Sequence, residues 1–288
     1  MTEDYIGRFA PSPTGPLHIG SLVAAVGSYL QAKSKNGKWL VRIEDLDPPR
    51  EEPGAIDKIL RSLEAHGLHW DGEIVYQSRR HEVYEAAIKQ LIENNFAYSC
   101  TCSRKKLKTS TTPGKFGLIY PGSCRNKTVQ HDQKSAIRVL THNRRIDFFD
   151  KRTGEYGQQL ESEIGDFIIK RADGFFAYQL AVVIDDAWQK ITEVVRGEDL
   201  LDNTPRQIHL QKLLDFPTPD YCHLPVVKNE LGQKLSKQTH APALDDRQVA
   251  KNLVAALKYL GLQVLNELQQ ASPEEILAQA ARDWKHYY

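Results

Sequence analysis

Apolar positions follow two different spacings along the first hundred residues. Short apolar runs are typical of strands, whereas apolar residues that recur every three or four positions are typical of helices. Strands are predicted over residues 5–9, 39–44 and 96–102, and helices over residues 17–30, 53–68 and 80–94. Strands separated by helices favour an α/β fold with a Rossmann-like, parallel nucleotide-binding sheet.

The pattern changes between residues 99 and 165. Threonines, a proline and a glycine interrupt residues 109–114, whereas residues 146–150 and a second run from residue 155 predict an antiparallel hairpin. The segment is therefore predicted to be a small α+β insertion between two halves of the parallel sheet.

After residue 165 strands and helices alternate again. Strands are predicted over residues 167–170, 175–178, 191–195 and 223–227, an apolar run covers 181–188, and helices are predicted over 204–214, 246–260 and 272–286. In the last helix, Ser272 is the predicted N-cap and Glu275 completes a capping box. The predicted division is 1–98 and 166–227 for the halves of the Rossmann-like domain, 99–165 for the insertion, and 228–288 for a lysine-containing loop with a short C-terminal helical segment.

Composition narrows the class of protein. The chain has 288 residues, of which 41% are hydrophobic and 26% charged, which is ordinary for a globular protein with a substantial core. It has no apolar run of membrane-spanning length, and its acidic N-terminus is unlike a secretory signal. Four cysteines do not make a disulfide framework in so long a chain. We expect a cytoplasmic protein with no membrane association.

Positive charge is concentrated in one segment. The formal net charge is only +1, which argues against a general polyanion binder, yet residues 99–134 carry eight basic residues and a single acidic one, Asp132. Such a segment is either a solvated loop or a surface that contacts RNA phosphates. The basic residues are Arg104, Lys105, Lys106, Lys108, Lys115, Arg125, Lys127 and Lys134.

Two short motifs carry the chemistry. The first, RFAPSPTGPLHIGS from Arg8 to Ser21, is predicted to be a strand, a loop rich in proline and glycine, and the start of a helix. That arrangement places unpaired backbone N–H groups and a helix dipole where a phosphate can bind, with His18 as an added donor. The second, KLSK from Lys234 to Lys237, places two lysines in a loop, where they can gather triphosphate charge.

Together, in this order, the motifs resemble the signature pair of the class I aminoacyl-tRNA synthetases, and the first resembles that of the glutamyl branch. The resemblance implies that ATP, with Mg2+, activates an amino acid. It also implies that His18 and Lys237 are catalytic and that Gly20, Ser21 and Lys234 join them in binding ATP. Many class I enzymes have a second histidine where this chain has Ser21.

The chain is short for this family, because only 51 residues follow Lys237, where larger members carry an anticodon-binding region. The resemblance therefore implies a compact, monomeric member that forms glutamyl-adenylate without tRNA. Such a member transfers L-glutamate to the cyclopentene diol of queuosine in tRNA(Asp), whose anticodon arm would face the basic insertion. The alternatives are a truncated synthetase that charges a tRNA 3′ end, a catalytically idle RNA-binding paralogue, and a nucleotidylyltransferase that uses another acid.

By the same resemblance, the glutamate pocket consists of Arg8, Ser12, Glu44, Tyr178 and Arg196. The chemistry is coherent, because guanidinium groups match carboxylates and Glu44 is a suitable partner for the substrate ammonium. The alternative is that Arg8 and Arg196 pair with internal acids such as Asp45 or Asp199.

Three cysteines in or near the insertion predict a metal site. Cys100, Cys102 and Cys124 offer thiolates for a tetrahedral structural Zn2+, and the resemblance makes Tyr120 the fourth ligand. His131 is the conventional alternative to Tyr120. Cys222 is predicted to be a buried core thiol.

Overall fold

The computed structural model describes residues 4–103, 105, 107, 109, 111–130, 133–141, 143, 145–227, 242–263, 268 and 270–284. The strands are β1 (Ile6–Phe9), β2 (Lys38–Ile43), β3 (Val75–Tyr76), β4 (Ala97–Cys100), β5 (Thr112–Gly114), β6 (Gly117–Ile119), β7 (Ala136–Val139), β8 (Arg145–Asp150), β9 (Gly154–Gln159), β10 (Phe167–Lys170), β11 (Glu193–Gly197) and β12 (Asp220–Leu224). The helices are α1 (Ile19–Ser34), α2 (Ala55–Ala65), α3 (His81–Glu93), α4 (Leu160–Glu163), α5 (Tyr178–Trp188), α6 (Thr204–Leu213), α7 (Val249–Tyr259) and α8 (Pro273–Trp284).

The centre of the fold is a parallel sheet in two halves. In one half β1 pairs with β2 and β2 with β3, and in the other β11 pairs with β12, all in parallel. The halves meet where the Thr192 backbone N–H donates to the Ile6 carbonyl at 2.9 Å. The strands lie in the order β3-β2-β1-β11-β12, so the strand order runs outward to one side from β1 and to the other side from β11. In α/β proteins, ligands bind in the crevice at the carboxyl ends of two such strands.

Helix α1 packs closely against this sheet. Leu22, Val26 and Leu30 are completely buried along one side of the helix, and a core cluster joins α1 to β2, β12, α7 and α8. A Cβ atom on Gly27 would lie 2.4 Å from Cδ1 of Leu224, so a larger residue would require the buried Leu224 side chain to shift. The start of α1 is thereby fixed beside the crevice.

A second, antiparallel sheet has the order β10-β7-β4 and packs with α3, α5 and α6 around its own core cluster. Strand pairing crosses both predicted domain limits. Strand β4 spans the first limit, and β10, which follows the second limit, pairs with β7 of the predicted insertion. The hairpin β8–β9 also joins the central sheet, through pairing of Asp150 with Tyr221. The division of the chain at residues 98/99 and 165/166 therefore stays a prediction.

Most of the predicted helices and strands are confirmed within a few residues, and so is the capping box. The Ser272 backbone N–H donates to Glu275 at 2.9 Å, and the Glu275 N–H donates to the Ser272 hydroxyl at 3.3 Å. The strand predicted over 175–178 is wrong, since Tyr178 begins α5 and only Phe176 forms an isolated bridge, with Lys170. The predicted strand leads directly into residues 179–186, which are all buried. A continuous buried run does not distinguish a strand from a buried helix, so the start of the helix at Tyr178 was not evident from the pattern.

Two further strand limits differ from the prediction. Strand β11 continues through Arg196 and Gly197, which were predicted to follow it, and β12 covers Asp220–Leu224 rather than residues 223–227. No helix in the described part of the chain is both long and apolar enough to cross a membrane.

Candidate active site

A cavity of about 490 Å³ opens at the carboxyl ends of β1 and β11, beside the start of α1. All the predicted active-site residues that the structure describes line it. They are Arg8, Ser12, His18, Gly20, Ser21, Glu44, Tyr178 and Arg196. Lys234 and Lys237 lie outside the described residues.

His18 is the N-cap of α1. Its Nδ1 atom accepts hydrogen bonds from the backbone N–H groups of Gly20 at 3.0 Å and Ser21 at 3.3 Å. The prediction that these N–H groups are unpaired is wrong, because the imidazole satisfies them in the way that a capping side chain does. With Nδ1 as the acceptor, a neutral His18 carries its proton on Nε2.

Ser21 completes the same cap. The backbone N–H of His18 donates to the Ser21 hydroxyl at 2.8 Å, and that hydroxyl donates to the His18 carbonyl at 2.7 Å. Ser21 therefore stabilises the start of α1 and the position of His18.

A network of buried charges lies under one wall of the cavity. Arg8 binds Asp186 through both nitrogens of one edge, at 3.1 and 3.3 Å. Arg42, which is fully buried, reaches Asp186 at 2.8 Å and Glu44 at 3.4 Å. Arg8 does pair with an internal acid, and that acid is Asp186; Asp45 instead accepts hydrogen bonds from Ser78.

Glu44 lies between this network and the cavity, with its side chain 8% exposed. Burial raises the pKa of Glu44 to about 7, although the positive charges of Arg42 and Arg8 oppose the shift. An ammonium group bound beside Glu44 would favour its ionised form, so the carboxylate is suited to receive a cation.

Arg196, at the end of β11, also lines the cavity. Its guanidinium donates to the Tyr178 hydroxyl at 3.1 Å, to the Thr204 hydroxyl at 2.7 Å and to the Leu200 carbonyl at 3.3 Å. Burial raises the pKa of Tyr178, so its hydroxyl stays protonated and can itself donate. The Arg196 guanidinium and the Tyr178 hydroxyl together offer donors to an anionic ligand.

The three predicted cysteines of the metal site lie together. The sulfur atoms of Cys100, Cys102 and Cys124 are all within 4.8 Å of one another, and the Tyr120 hydroxyl is 3.3 Å from Cys100 and 3.8 Å from Cys102. Burial opposes ionisation of Cys124, but hydrogen bonds from Tyr120, Thr101 and the other thiols lower the pKa of Cys124 to about 7. Four groups able to bind a cation thus share one small space.

Arg138 supports this thiol cluster from β7. Its Nε–H donates to the Cys100 sulfur at 3.3 Å, and its guanidinium lies 3.8 Å above the Tyr120 ring. His131, the alternative fourth ligand, lies outside the described residues. The prediction for Cys222 is confirmed, since it is 1% exposed in the main core and burial raises its pKa to about 12.

The basic segment is only partly a free surface. Arg125 is held by Asp166 at 2.7 Å and by Glu161 at 2.7 Å, so it connects the segment to the rest of the fold. Within residues 99–134, the exposed lysines that the structure describes are Lys105, Lys115, Lys127 and Lys134. Arg104, Lys106 and Lys108 lie outside the described residues.

Sequence reasoning missed Arg42 and Asp186, which hold Arg8 and Glu44 in place. A signal was present, because Asp185 and Asp186 are adjacent acids inside the apolar run 181–188. Acids in a buried helix require partners, and Asp185 also has them in Gln77, Arg80 and Tyr84 on neighbouring elements.

Comparison with known proteins adds independent findings. The family model "tRNA synthetases class I (E and Q), catalytic domain" matches residues 6–280. The chain is 52% identical to glutamyl-Q tRNA(Asp) synthetase from Ectopseudomonas mendocina over 99% of this chain and 94% of that protein. It is 54% identical to the protein of the same name from Chromobacterium violaceum over 89% of this chain and 86% of that protein.

Solved structures agree on the fold. The crystal structure of glutamate-tRNA synthetase from Elizabethkingia anophelis superimposes with a TM-score of 0.79 at 25% identity and covers 96% of this chain. This chain spans 65% of that larger protein. A methionyl-tRNA synthetase from Mycobacterium tuberculosis shares the fold with a TM-score of 0.55 at 11% identity.

Proposed function

The chain belongs to the class I tRNA synthetases of the glutamyl and glutaminyl type, and on that premise we propose that it activates L-glutamate with ATP and esterifies it to queuosine. The acceptor is the cyclopentene diol of queuosine in the anticodon of tRNA(Asp). The observation that carries the proposal is the single cavity that both Glu44 and Arg196 line. Relatives about half identical over nearly the whole chain, named glutamyl-Q tRNA(Asp) synthetases, support the same acceptor.

Glutamate brings an ammonium and two carboxylates to the cavity. Glu44 accepts the ammonium, while Arg196 and Tyr178 donate to one carboxylate. Arg8 contributes positive charge although Asp186 occupies one edge of its guanidinium. Ser12 adds a hydroxyl on the loop after β1. Glutamine has a neutral amide where glutamate has its side-chain carboxylate. It would lose a charge-assisted contact with the donors of the cavity, so glutamine should bind more weakly.

In the first half-reaction a glutamate carboxylate oxygen attacks the α-phosphorus of ATP, and the bond to the β-phosphate breaks to release pyrophosphate. Mg2+ enters with ATP. His18 Nε2–H, at the positive end of α1, donates to a phosphate oxygen and stabilises developing charge. Lys234 and Lys237 neutralise the departing pyrophosphate in this proposal.

In the second half-reaction a hydroxyl of the queuosine diol attacks the carbonyl carbon of the adenylate. The ester bond forms as the carbonyl–phosphate bond breaks, and AMP leaves with the hydroxyl proton on its phosphate or released to water. Because a cis-diol resembles the 2′,3′-diol of a terminal ribose, the acceptor needs no additional catalytic group. Lys105, Lys115, Lys127 and Lys134 would contact phosphates of the anticodon arm.

We also propose that the thiol cluster holds a structural Zn2+. Four ligands at about 2.3 Å in a tetrahedron lie about 3.8 Å apart, and Cys102 and Cys124 are separated by 3.5 Å. Tyr120 is the fourth ligand, and the Arg138 guanidinium offsets the negative charge of the ligands. The metal would stabilise segment 99–165, which we propose is inserted between the halves 1–98 and 166–227 of the catalytic domain. We also propose that the protein is a monomer.

The test uses the full chain with ATP, radiolabelled glutamate and tRNA(Asp), with and without queuosine. We expect ATP–pyrophosphate exchange without tRNA, and label on the queuosine nucleoside only when queuosine is present. Label on the 3′ adenosine of unmodified tRNA would instead favour a truncated synthetase. Absence of exchange under all conditions would favour the idle RNA-binding paralogue.

A further inference from the structure

Asp150 ends β8 behind the active-site cavity, and it is completely buried. One carboxylate oxygen, Oδ1, accepts hydrogen bonds from the backbone N–H groups of Arg152 at 3.1 Å and Thr153 at 2.9 Å. The other, Oδ2, accepts from the backbone N–H of His223 at 3.1 Å and from its Nδ1–H at 2.6 Å. Burial opposes its ionisation, but these hydrogen bonds lower the pKa of Asp150 to about 2. Asp150 is therefore a carboxylate at neutral pH.

The carboxylate determines the tautomer of His223, which is also completely buried, on β12. Burial lowers the pKa of His223, so the ring is neutral and has one N–H. Because an ionised carboxylate only accepts, that N–H is on Nδ1, and Nε2 is left as an acceptor. Nε2 accepts from Nε–H of Arg196 at 3.1 Å and lies 3.2 Å from the Thr204 hydroxyl.

Arg196 thus has four of its five N–H groups assigned. Nε–H donates to Nε2 of His223, and one Nη1–H donates to the Tyr178 hydroxyl. The two Nη2–H groups donate to the Thr204 hydroxyl and the Leu200 carbonyl. Among the described residues, the remaining Nη1–H is left for a ligand in the cavity that Arg196 lines. Its direction is determined by the other four contacts.

We infer that Asp150 and His223 are positioning residues for substrate recognition, because the buried Asp150–His223 pair fixes the guanidinium plane of Arg196 and so directs its last N–H at a glutamate carboxylate. The inference rests on the proposed function for the identity of the ligand. Neither Asp150 nor His223 lines the cavity, so both act through Arg196.

Asp150→Asn reverses the hydrogen bond without changing the shape of the side chain. We expect the amide oxygen at the Oδ1 position, where two backbone N–H groups and the Thr153 hydroxyl donate, so that the NH2 group faces His223. The imidazole then accepts at Nδ1 and carries its proton on Nε2, where that proton faces the Nε–H of Arg196 and has only the Thr204 hydroxyl, which already accepts from Arg196, as an acceptor. The same change of aspartate to asparagine gives the wrong histidine tautomer in catalytic triads. Here the two donors that come into contact repel each other, and we expect the guanidinium to shift.

His223 offers a matched pair of variants. In His223→Gln an amide oxygen can occupy the Nε2 position and accept from Arg196, whereas in His223→Asn the shorter amide reaches Asp150 but not Arg196. Both place an amide in the same buried position. We expect His223→Asn to weaken glutamate binding at least fivefold more than His223→Gln.

The first measurement needs no variant. In full-length protein labelled with 15N at histidine, the His223 ring should show a protonated Nδ1 and an unprotonated Nε2, with the signal assigned by its loss in His223→Gln. An Nε2–H tautomer in the wild type would overturn the inference. In Asp150→Asn the tautomer should switch.

Binding provides the second measurement. Asp150→Asn should raise the Kd for glutamate at least tenfold and leave the Kd for ATP within twofold, while Asp147→Asn on the exposed face of β8 should change neither. In an Arg196→Lys background the effect of Asp150→Asn should fall below twofold. Equal weakening of glutamate and ATP binding, or an undiminished effect in that background, would overturn the inference. A wild type that binds no glutamate would refute the proposed function, while the tautomer and its switch would still support positioning of Arg196.

Discussion

Glu44→Gln should weaken glutamate binding and, as the pH rises, increase the stability of the protein relative to the wild type. The buried negative charge of Glu44 favours binding of the substrate ammonium but disfavours the folded state. The substitution keeps the shape of the side chain and removes only its ability to carry negative charge. In the wild type at pH 8 the Glu44 carboxylate is ionised, since burial raises its pKa to about 7 and not beyond. It can then accept a hydrogen bond from the substrate ammonium.

The size of the binding effect follows from that contact. A hydrogen bond to a charged group contributes about 1.5–3 kcal/mol, which corresponds to a rise of roughly 10- to 150-fold in the Kd for glutamate. Below pH 7 the wild-type Kd should also rise by about tenfold per pH unit, because protonated Glu44 cannot accept the ammonium. The Glu44→Gln variant should lose this dependence.

Stability should change in the opposite direction. Between pH 4.5 and about 7 the folded protein keeps a proton on Glu44 that the unfolded chain releases, so this group lowers stability as the pH rises through that window. Glutamine does not titrate. The free energy of unfolding of Glu44→Gln, relative to the wild type, should therefore increase by up to about 3 kcal/mol between pH 4.5 and pH 8.

The assay is isothermal titration with glutamate, together with chemical unfolding at pH 4.5 and pH 8. Glu64→Gln, on the exposed side of α2, is the control and should change neither quantity. An unchanged Kd for glutamate, or a difference in the free energy of unfolding that is the same at pH 4.5 and pH 8, would refute the role given to Glu44.

Four other outcomes are expected. Asp186→Ala leaves two buried guanidinium groups without their shared carboxylate, so chemical unfolding should show a loss of about 3–5 kcal/mol. Elemental analysis should find about one zinc per chain, lost in Cys124→Ala and retained in the core control Cys222→Ala; wild-type protein without zinc would contradict the metal assignment. Replacing Lys127 and the other exposed lysines of residues 99–134 with glutamine should raise the KM for tRNA and flatten its salt dependence, with adenylate formation unchanged. Ser272→Ala should cost about 1 kcal/mol of stability by removing the cap of α8, and an unchanged unfolding midpoint would count against that cap.

The sequence predicted the location of the site better than its internal contacts. Residues after β1, at the start of α1 and at the end of β11 line one cavity because parallel strands present their carboxyl ends at the same edge of the sheet. That rule needs only the order of strands and helices, which apolar spacing reveals. The roles of the lining residues stay predictions until the variants are measured.

The contacts that hold these residues depend on distant packing. Arg8 and Asp186 are 178 positions apart, so no local pattern identifies them as partners. His18 shows another limit, because it was predicted to stand beside unpaired N–H groups and instead accepts from them. Whether a side chain at a helix start binds a ligand or caps the helix depends on its rotamer, which a sequence does not specify.

The seam between the two halves of the sheet has a consequence for how the site forms during folding. Ile6 and Thr192 join β1 to β11 across a separation of 186 residues, and the two walls of the cavity lie on either side of them. Closing so long a loop is slow relative to forming α1 on β1 and β2, which are neighbours in the chain. In refolding experiments, native helical circular dichroism should therefore appear before the capacity to bind glutamate. That delay should be independent of ATP, because nucleotide can bind only after the seam has closed.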